Sequence, residues 1–313
     1  MPKRIELAHE RITALLDSEM FPVFSQTQLR ALLQENRRAF RLPKYMTLEE
    51  FISYLEEKSH LTKVQLDGGQ YPGFIRYAWR TPTPFQLALS LRGGSYLSHG
   101  TAAFIHGLLP APDPLHVNKE QSAKTTESVV SQTGINRAFV GKPRTSRYLV
   151  QTGDIRILLL NGKFTNKLGV VEISDPEGGT LRLTGLERTL IDIAVRPVYA
   201  GGATNVLSAY STAKNRLAPK KMVAILKKLS YAYPYHQAVG FYLSRAGYEA
   251  KTLMEFRRLG LEYKFYLDYR MSKPAFDKTW QVYYPSELDH SPLASATYRI
   301  TSELVNHPKC NKL

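Results

Sequence analysis

Two helix starts and a paired-strand signal fall between Phe24 and Trp79, and they constrain this chain more than any other feature. In Phe24-Ser25-Gln26-Thr27-Gln28-Leu29, Ser25 can accept from the Gln28 backbone N–H while the Gln28 side chain reaches back. Phe24 and Leu29 sit at the two positions of a hydrophobic staple. Met46-Thr47-Leu48-Glu49-Glu50-Phe51 repeats the pattern, with Thr47 as cap and Glu50 at the third helical position. Two β-prone runs, Leu61 to Leu66 and Phe74 to Trp79, flank Asp67-Gly68-Gly69 and read as a hairpin. With a first helix over 4–17, the order is that of a winged helix-turn-helix, a module that reads DNA.

The charge on that module is unusual. A helix from Thr47 would bury Leu48, Phe51, Ile52 and Leu55, leaving Glu49, Glu50, Ser53, Glu56 and Glu57 outward. Phosphates repel such a face, so the cations beside it become the candidate DNA contacts. These are Arg37, Arg38, Arg41 and Lys44 before the helix, with Lys63 and Arg76 in the wing; Ser53 is the helix residue placed to reach DNA. A packing module that meets protein rather than DNA is the alternative.

The chain's net charge of +15 points to a polyanionic partner. Residues 1–80 carry 12 basic and 10 acidic side chains, so nearly all of that excess lies beyond them. Lys119 to Lys167 holds nine basic residues against three acids; Arg137, Arg144, Arg147, Lys163 and Lys167 are its candidate contacts. Lys214 to Arg258 is similarly biased, with Tyr231, Tyr233 and Tyr235 able in principle to stack on bases. The bland reading of both runs is a solvated face, and of the tyrosines, half-burial.

Thr81-Pro82-Thr83-Pro84 reads as a domain boundary. The expected division is a winged helix over 1–80, a basic domain over 84–285, and a disordered or vector-derived tail over 286–313. In the second domain, helices are expected at 84–91 and 98–106, then β-rich runs at 115–118, 135–140, 148–151, 155–160 and 170–174. Thr184-Gly185-Leu186-Glu187 reads as a third capping box with Glu187 capping, and Arg188 with Asp192 as a surface pair. More helices follow to about 259, then strands at 263–269 and 280–284. The class is α/β in composition and α+β in arrangement, with a mostly antiparallel sheet facing water on one side.

Several chemistries are set aside. The single cysteine, Cys310, leaves no internal disulfide or cysteine-based zinc cluster and fits a reducing compartment. No apolar run reaches a membrane span and no signal-peptide core is present, so the expectation is a cytoplasmic protein without a membrane partner. His99, His106 and His116 cluster in sequence, but capping or packing explains them better than a metal. Glu262-Tyr263-Lys264 is half of a metal-dependent nuclease signature, without a nearby upstream Asp; an exposed strand edge is the plainer reading. No Walker A loop, nucleophile elbow or dinucleotide fingerprint occurs, so neither a cofactor nor an enzyme is expected.

Tyr96-Leu97-Ser98-His99-Gly100-Thr101-Ala102-Ala103 with Ile105-His106-Gly107-Leu108, then His116-Val117-Asn118-Lys119-Glu120-Gln121, resembles the AbiEi family of type IV antitoxins. So do Leu186 to Asp192 running into Arg196-Pro197 and Tyr199-Ala200-Gly201-Gly202, and Tyr233-Pro234-Tyr235-His236-Gln237-Ala238 with Gly240-Phe241-Tyr242-Leu243. Phe265-Tyr266-Leu267-Asp268-Tyr269 with Trp280 to Pro285 completes the series, which covers most of 84–285 in family order. The resemblance implies a winged helix that represses its own operon by binding inverted repeats in operator DNA. It implies a larger domain that neutralises an AbiEii-type nucleotidyltransferase toxin encoded next door, without a stable complex. Contact of the basic domain with RNA, a stand-alone winged-helix regulator and a nuclease acting through Glu262 and Lys264 stay open as other readings.

Overall fold

A computed structural model of the chain describes residues 4–123 and 130–289. Lys124, Cys310 and residues 290–313 of the expected tail lie outside them. The first helix is broken at Ala8 into α1 (Arg4–Leu7) and α2 (His9–Asp17). Strand β1 (Val23–Phe24), helices α3 (Gln26–Asn36) and α4 (Leu48–Lys58), and the hairpin β2 (Leu61–Leu66) and β3 (Phe74–Trp79) follow. Both capping boxes form: Ser25 Oγ accepts from Gln28 N at 3.3 Å, and Thr47 Oγ1 from Glu50 N at 3.1 Å. The strands form an antiparallel sheet in the order β1-β3-β2. Ile12, Leu16, Leu29, Leu33, Phe51, Leu55 and Trp79 fill the space between that sheet and the helices.

The second part opens with α5 (Pro84–Ser90), β4 (Tyr96–Leu97), α6 (His99–Ile105), β5 (Leu115–Glu120) and α7 (Gln132–Val140). Strands β6 (Leu149–Thr152), β7 (Ile155–Gly162), β8 (Val170–Ser174) and β9 (Thr180–Thr184) complete a six-stranded sheet ordered β6-β7-β5-β4-β9-β8. It is mixed: β6/β7, β5/β4 and β9/β8 pair antiparallel, β7/β5 and β4/β9 parallel. Helices α8 (Leu186–Val195), α9 (Ala203–Thr212), α10 (Pro219–Leu229), α11 (Tyr235–Arg245) and α12 (Ala250–Arg257) build a separate helical core. The small sheet β10 (Phe265–Tyr266), β11 (Pro274–Asp277) and β12 (Val282–Pro285) closes it. The class is α+β.

The two parts share apolar interior. Val23, Val64, Leu66 and Ala78 of the N-terminal sheet pack with Leu87, Leu97, Val150, Leu159 and Leu183 in one cluster. Covering each large side chain there is worth roughly 1.5–3 kcal/mol. The 81–84 stretch is not a loose tether, because Thr83 caps α5, accepting from Gln86 N at 3.2 Å.

Several local expectations are corrected. Residues 135–140 are helical: Ser131 Oγ caps Gly134 N at 3.1 Å, and Ile135 and Phe139 bury together at i,i+4 spacing. A six-residue apolar run fits either period, and here the cap decided it. The cap of α8 is Gly185, without a side-chain bond, while Thr184 pairs with Thr189 and Glu187 is buried against Lys221 at 2.8 Å. Glu262 and Lys264 precede β10 rather than lying on a strand. Strands β1, β4, β9 and β11 fall where no strand was expected. Of the expected tail, Ser286–Asp289 form a 3-10 turn that buries Leu288 and pairs Asp289 with Arg245 at 2.9 Å.

Candidate functional site

The cations around α3 and α4 separate into two sorts. Arg37 is spent on structure: its Nη1 donates to Pro43 O and its Nη2 to Met46 O at 3.1 Å, bracing the turn before α4. Arg38, Arg41, Lys44 and Lys63 are exposed and, among the described residues, carry no ion pair. Arg76 is not a wing contact. It is 9% exposed and donates to Ser90 O at 3.0 Å, Leu91 O at 2.8 Å and Ile75 O at 2.7 Å, so it caps the end of α5. A strand position reads as exposed only while nothing covers the sheet, and α5 covers this one. The outward face of α4 is acidic as expected, with Ser53 exposed among Glu49, Glu50, Glu56 and Glu57. Lys58 is paired with Glu57 at 2.7 Å.

The β2–β3 hairpin is held down. Asp67 and Gln151 exchange backbone hydrogen bonds of 2.8 and 2.9 Å, which joins the hairpin to β6. Tyr148 stacks on Tyr71 with ring centres 4.8 Å apart and donates through its hydroxyl to Pro72 O at 2.7 Å.

Of the second-domain candidates, Arg137, Arg144 and Arg147 are exposed without an ion pair among the described residues. Lys163 is tied: its Nζ donates to Leu229 O at 2.7 Å and Ser230 O at 2.8 Å, where it complements the negative end of α10. Lys167 is exposed, and its amide donates to the Glu120 carboxylate at 3.2 Å. Tyr231, Tyr233 and Tyr235 pack on one another and on Phe139 and Phe265, so they offer no open stacking platform.

The unforeseen site is internal. Arg188 Nε donates to Asp192 Oδ1 at 2.8 Å with both side chains about 95% buried, so the expected surface pair is a core pair. The reason is that α8 runs through the middle of the domain, against α6, α9, α10 and α11. Arg188 Nη1 also donates to Leu168 O at 2.6 Å and reaches Thr165 Oγ1. Thr165 in turn donates to Glu120, whose carboxylate also accepts from Tyr96 Oη at 3.3 Å. Burial presses the Asp192 carboxyl above its ordinary range, and it works against Arg188, whose charge Asp192 more than restores. Burial also opposes the Glu120 carboxylate, yet hydrogen bonds from Thr165, the Lys167 amide and Tyr96 hold it low.

Beside this network, His99, His116 and Tyr199 meet ring to ring at 5.1–6.4 Å. His99 is the first residue of α6 and has φ of +50°, in the left-handed region. His116 Nδ1 is buried with no hydrogen-bond partner. Burial holds both imidazoles down at about 3, helped at His99 by Arg188 and Arg196 and at His116 by His99. His106 instead bonds Thr184 O at 2.8 Å. Among the described residues no three His, Cys, Asp or Glu side chains stand where they would hold a metal ion.

Such histidines make a pH prediction. Folded, they stay neutral; unfolded, they titrate near 6.5, so below that value only the unfolded chain takes up their protons. Stability therefore falls as pH drops from about 6.5 towards 3. His116→Asn should flatten the slope of unfolding free energy against pH between 7 and 5 by up to about 1.4 kcal/mol per pH unit. Urea unfolding at several pH values reads the slope, so a constant packing loss does not matter; equal slopes would exclude the effect.

The fold and surface define a two-part α+β protein with exposed cations that carry no ion pair among the described residues. No family model matches the chain, and no curated protein does. The chain is similar in fold to the crystal structure of the RV2827C protein from Mycobacterium tuberculosis: TM-score 0.52, 14% identity, covering 90% of this chain and 93% of that one. Among the described residues no helix is long and apolar enough to cross a membrane.

Proposed function

We propose that this chain is a type IV antitoxin of the AbiEi kind, which neutralises a nucleotidyltransferase-like toxin and represses its own operon through the N-terminal module. One observation carries the reading. The segments that resemble the family lie far apart in sequence, yet buried Tyr96, Arg188 and Asp192 and half-buried Glu120 enter one hydrogen-bond network. His99, His116 and Tyr199 of the same segments form the adjoining ring cluster. Charged groups buried in this way need every partner in place, so an ordered resemblance at these positions points to a shared domain rather than chance matches. The protein acts by binding, not by catalysis, and works in the cytoplasm.

Arg38, Arg41, Lys44 and Lys63 contact operator phosphates, and Arg37 sets the loop that presents them. Alanine at those four should weaken binding to all duplexes and lower the log–log salt slope by about three to four. Fluorescence anisotropy across 50–200 mM salt measures both; unchanged affinity and slope would reject the assignment. For neutralisation, Arg137, Arg144, Arg147 and Lys167 are the exposed set. Their joint replacement by alanine should reduce protection against the toxin at equal protein abundance, and full protection would remove the basic surface from the mechanism. Point variants are the right tool, because a cut at residue 80 would uncover the apolar cluster shared by the two parts.

A further inference from the structure

The wing cannot approach DNA alone. Its backbone is bonded to Gln151 on both sides of Asp67, and its turn is stacked on Tyr148. The wing and the segment entering β6 are therefore fastened to one another. That segment, 142–148, carries Lys142, Arg144 and Arg147, all exposed and without an ion pair among the described residues. Arg147 is next to the latch residue Tyr148, and Arg144 lies within about 11 Å of Arg147 along the chain at full extension. The acid of the hairpin turn, Asp67, has its carboxylate turned onto the Gly69 amide at 2.9 Å, and the next acid after the segment is Asp154 in the β6–β7 turn.

The rings at this junction select the ligand. Tyr148 is stacked with Tyr71 and Phe74, and the Arg92 guanidinium sits 5.1 Å from its ring centre. Tyr148 is thereby occupied by Tyr71, Phe74 and Arg92 and offers no ready platform for an unpaired base, which is what single-strand recognition uses. What remains for a ligand is positive charge alone, suited to the phosphates of a duplex.

We infer that the DNA-binding surface is composite: it runs from Lys63 across the latched wing onto Arg144 and Arg147, which grip duplex backbone beside the wing. The inference rests on the proposed DNA binding of the N-terminal module. It makes Arg144 and Arg147 operator contacts, and it ties the second domain rigidly to the operator whenever the wing is bound.

The test uses the full chain and a labelled duplex carrying the DNA immediately upstream of its coding sequence. Three variants are compared with the unaltered protein: R144A/R147A, R38A/R41A/K44A, and K227A/K228A on α10 as a charge-matched control. R144A/R147A is expected to weaken binding several-fold to tenfold near 150 mM salt and to lower the salt slope by about two, with the control within twofold. An R144A/R147A slope equal to that of the unaltered protein, with R38A/R41A/K44A impaired, would overturn the composite surface and leave the N-terminal reading intact. Equal losses in R144A/R147A and the control would overturn it as well, because general charge would then suffice. If the unaltered chain binds no duplex, both readings fall together. Matching melting temperatures for all variants exclude misfolding, since every replaced side chain is exposed.

Discussion

Asp192→Ala should lower the unfolding free energy by about 3–5 kcal/mol, the usual consequence of leaving one member of a buried ion pair without its partner. Arg188 would remain about 95% buried beside an empty site, with only Leu168 O and Thr165 Oγ1 to satisfy it. Asp192→Asn should cost less, because the amide oxygen can still accept from Arg188 Nε. The double variant R188M/D192A should recover part of the loss, since an apolar pair needs no desolvation, although alanine leaves a gap where the carboxylate was. Recovery should be incomplete, because Arg188 also anchors the turn before β8 through Leu168. Urea denaturation of the unaltered protein, R188M, D192A and the double variant closes the cycle. A loss below about 1 kcal/mol for Asp192→Ala would mean the pair behaves as an exposed one, contrary to its burial.

Gly240→Ala should also destabilise strongly, although alanine in a helix ordinarily gains about 1 kcal/mol over glycine. Gly240 lies within α11, and a Cβ there would overlap the six-membered ring of Trp280. Trp280 is 1% exposed and cannot step aside. Its amide donates to Asp277 at 2.8 Å, and its carbonyl accepts from Gln237 Nε2 at 2.8 Å. Overpacking of about 3 kcal/mol would outweigh the helix gain, for a net loss near 2 kcal/mol and a melting point lower by roughly 4–8 °C. Adding Trp280→Leu should make the pair less than additive. A melting point for Gly240→Ala at or above that of the unaltered protein would show that the helix and the Trp280 segment separate freely.

What could be read in advance followed from local chemistry. Ser25 with Gln28 and Thr47 with Glu50 close their boxes within four residues, so nothing distant can alter them. The 135–140 run was ambiguous because Ile135 and Phe139 suit a strand or a helix, and only the Ser131 cap and the covering aromatic rings of Tyr266 and Tyr269 settle it. Arg76, Arg188, Asp192 and Lys163 were misplaced for one reason. A charged residue reads as surface unless its partners are known; those of Arg76 and Lys163 are carbonyls 14 and 66 residues away, while Arg188 and Asp192 are each other's, four apart. Even the near pair, Arg188 and Asp192, reads as a surface pair until the helices around α8 are in place. The latched hairpin was equally illegible, since nothing in Tyr71 or Tyr148 alone says that they stack.

Growth tests the proposed antitoxin action most directly. The open reading frame adjacent to this gene is expressed from an inducible promoter, with and without this chain supplied from a second one. The account predicts that the neighbour arrests growth and that co-expression of this chain restores it. A neighbour that is harmless, or one whose toxicity persists with this chain abundant and folded, would contradict it.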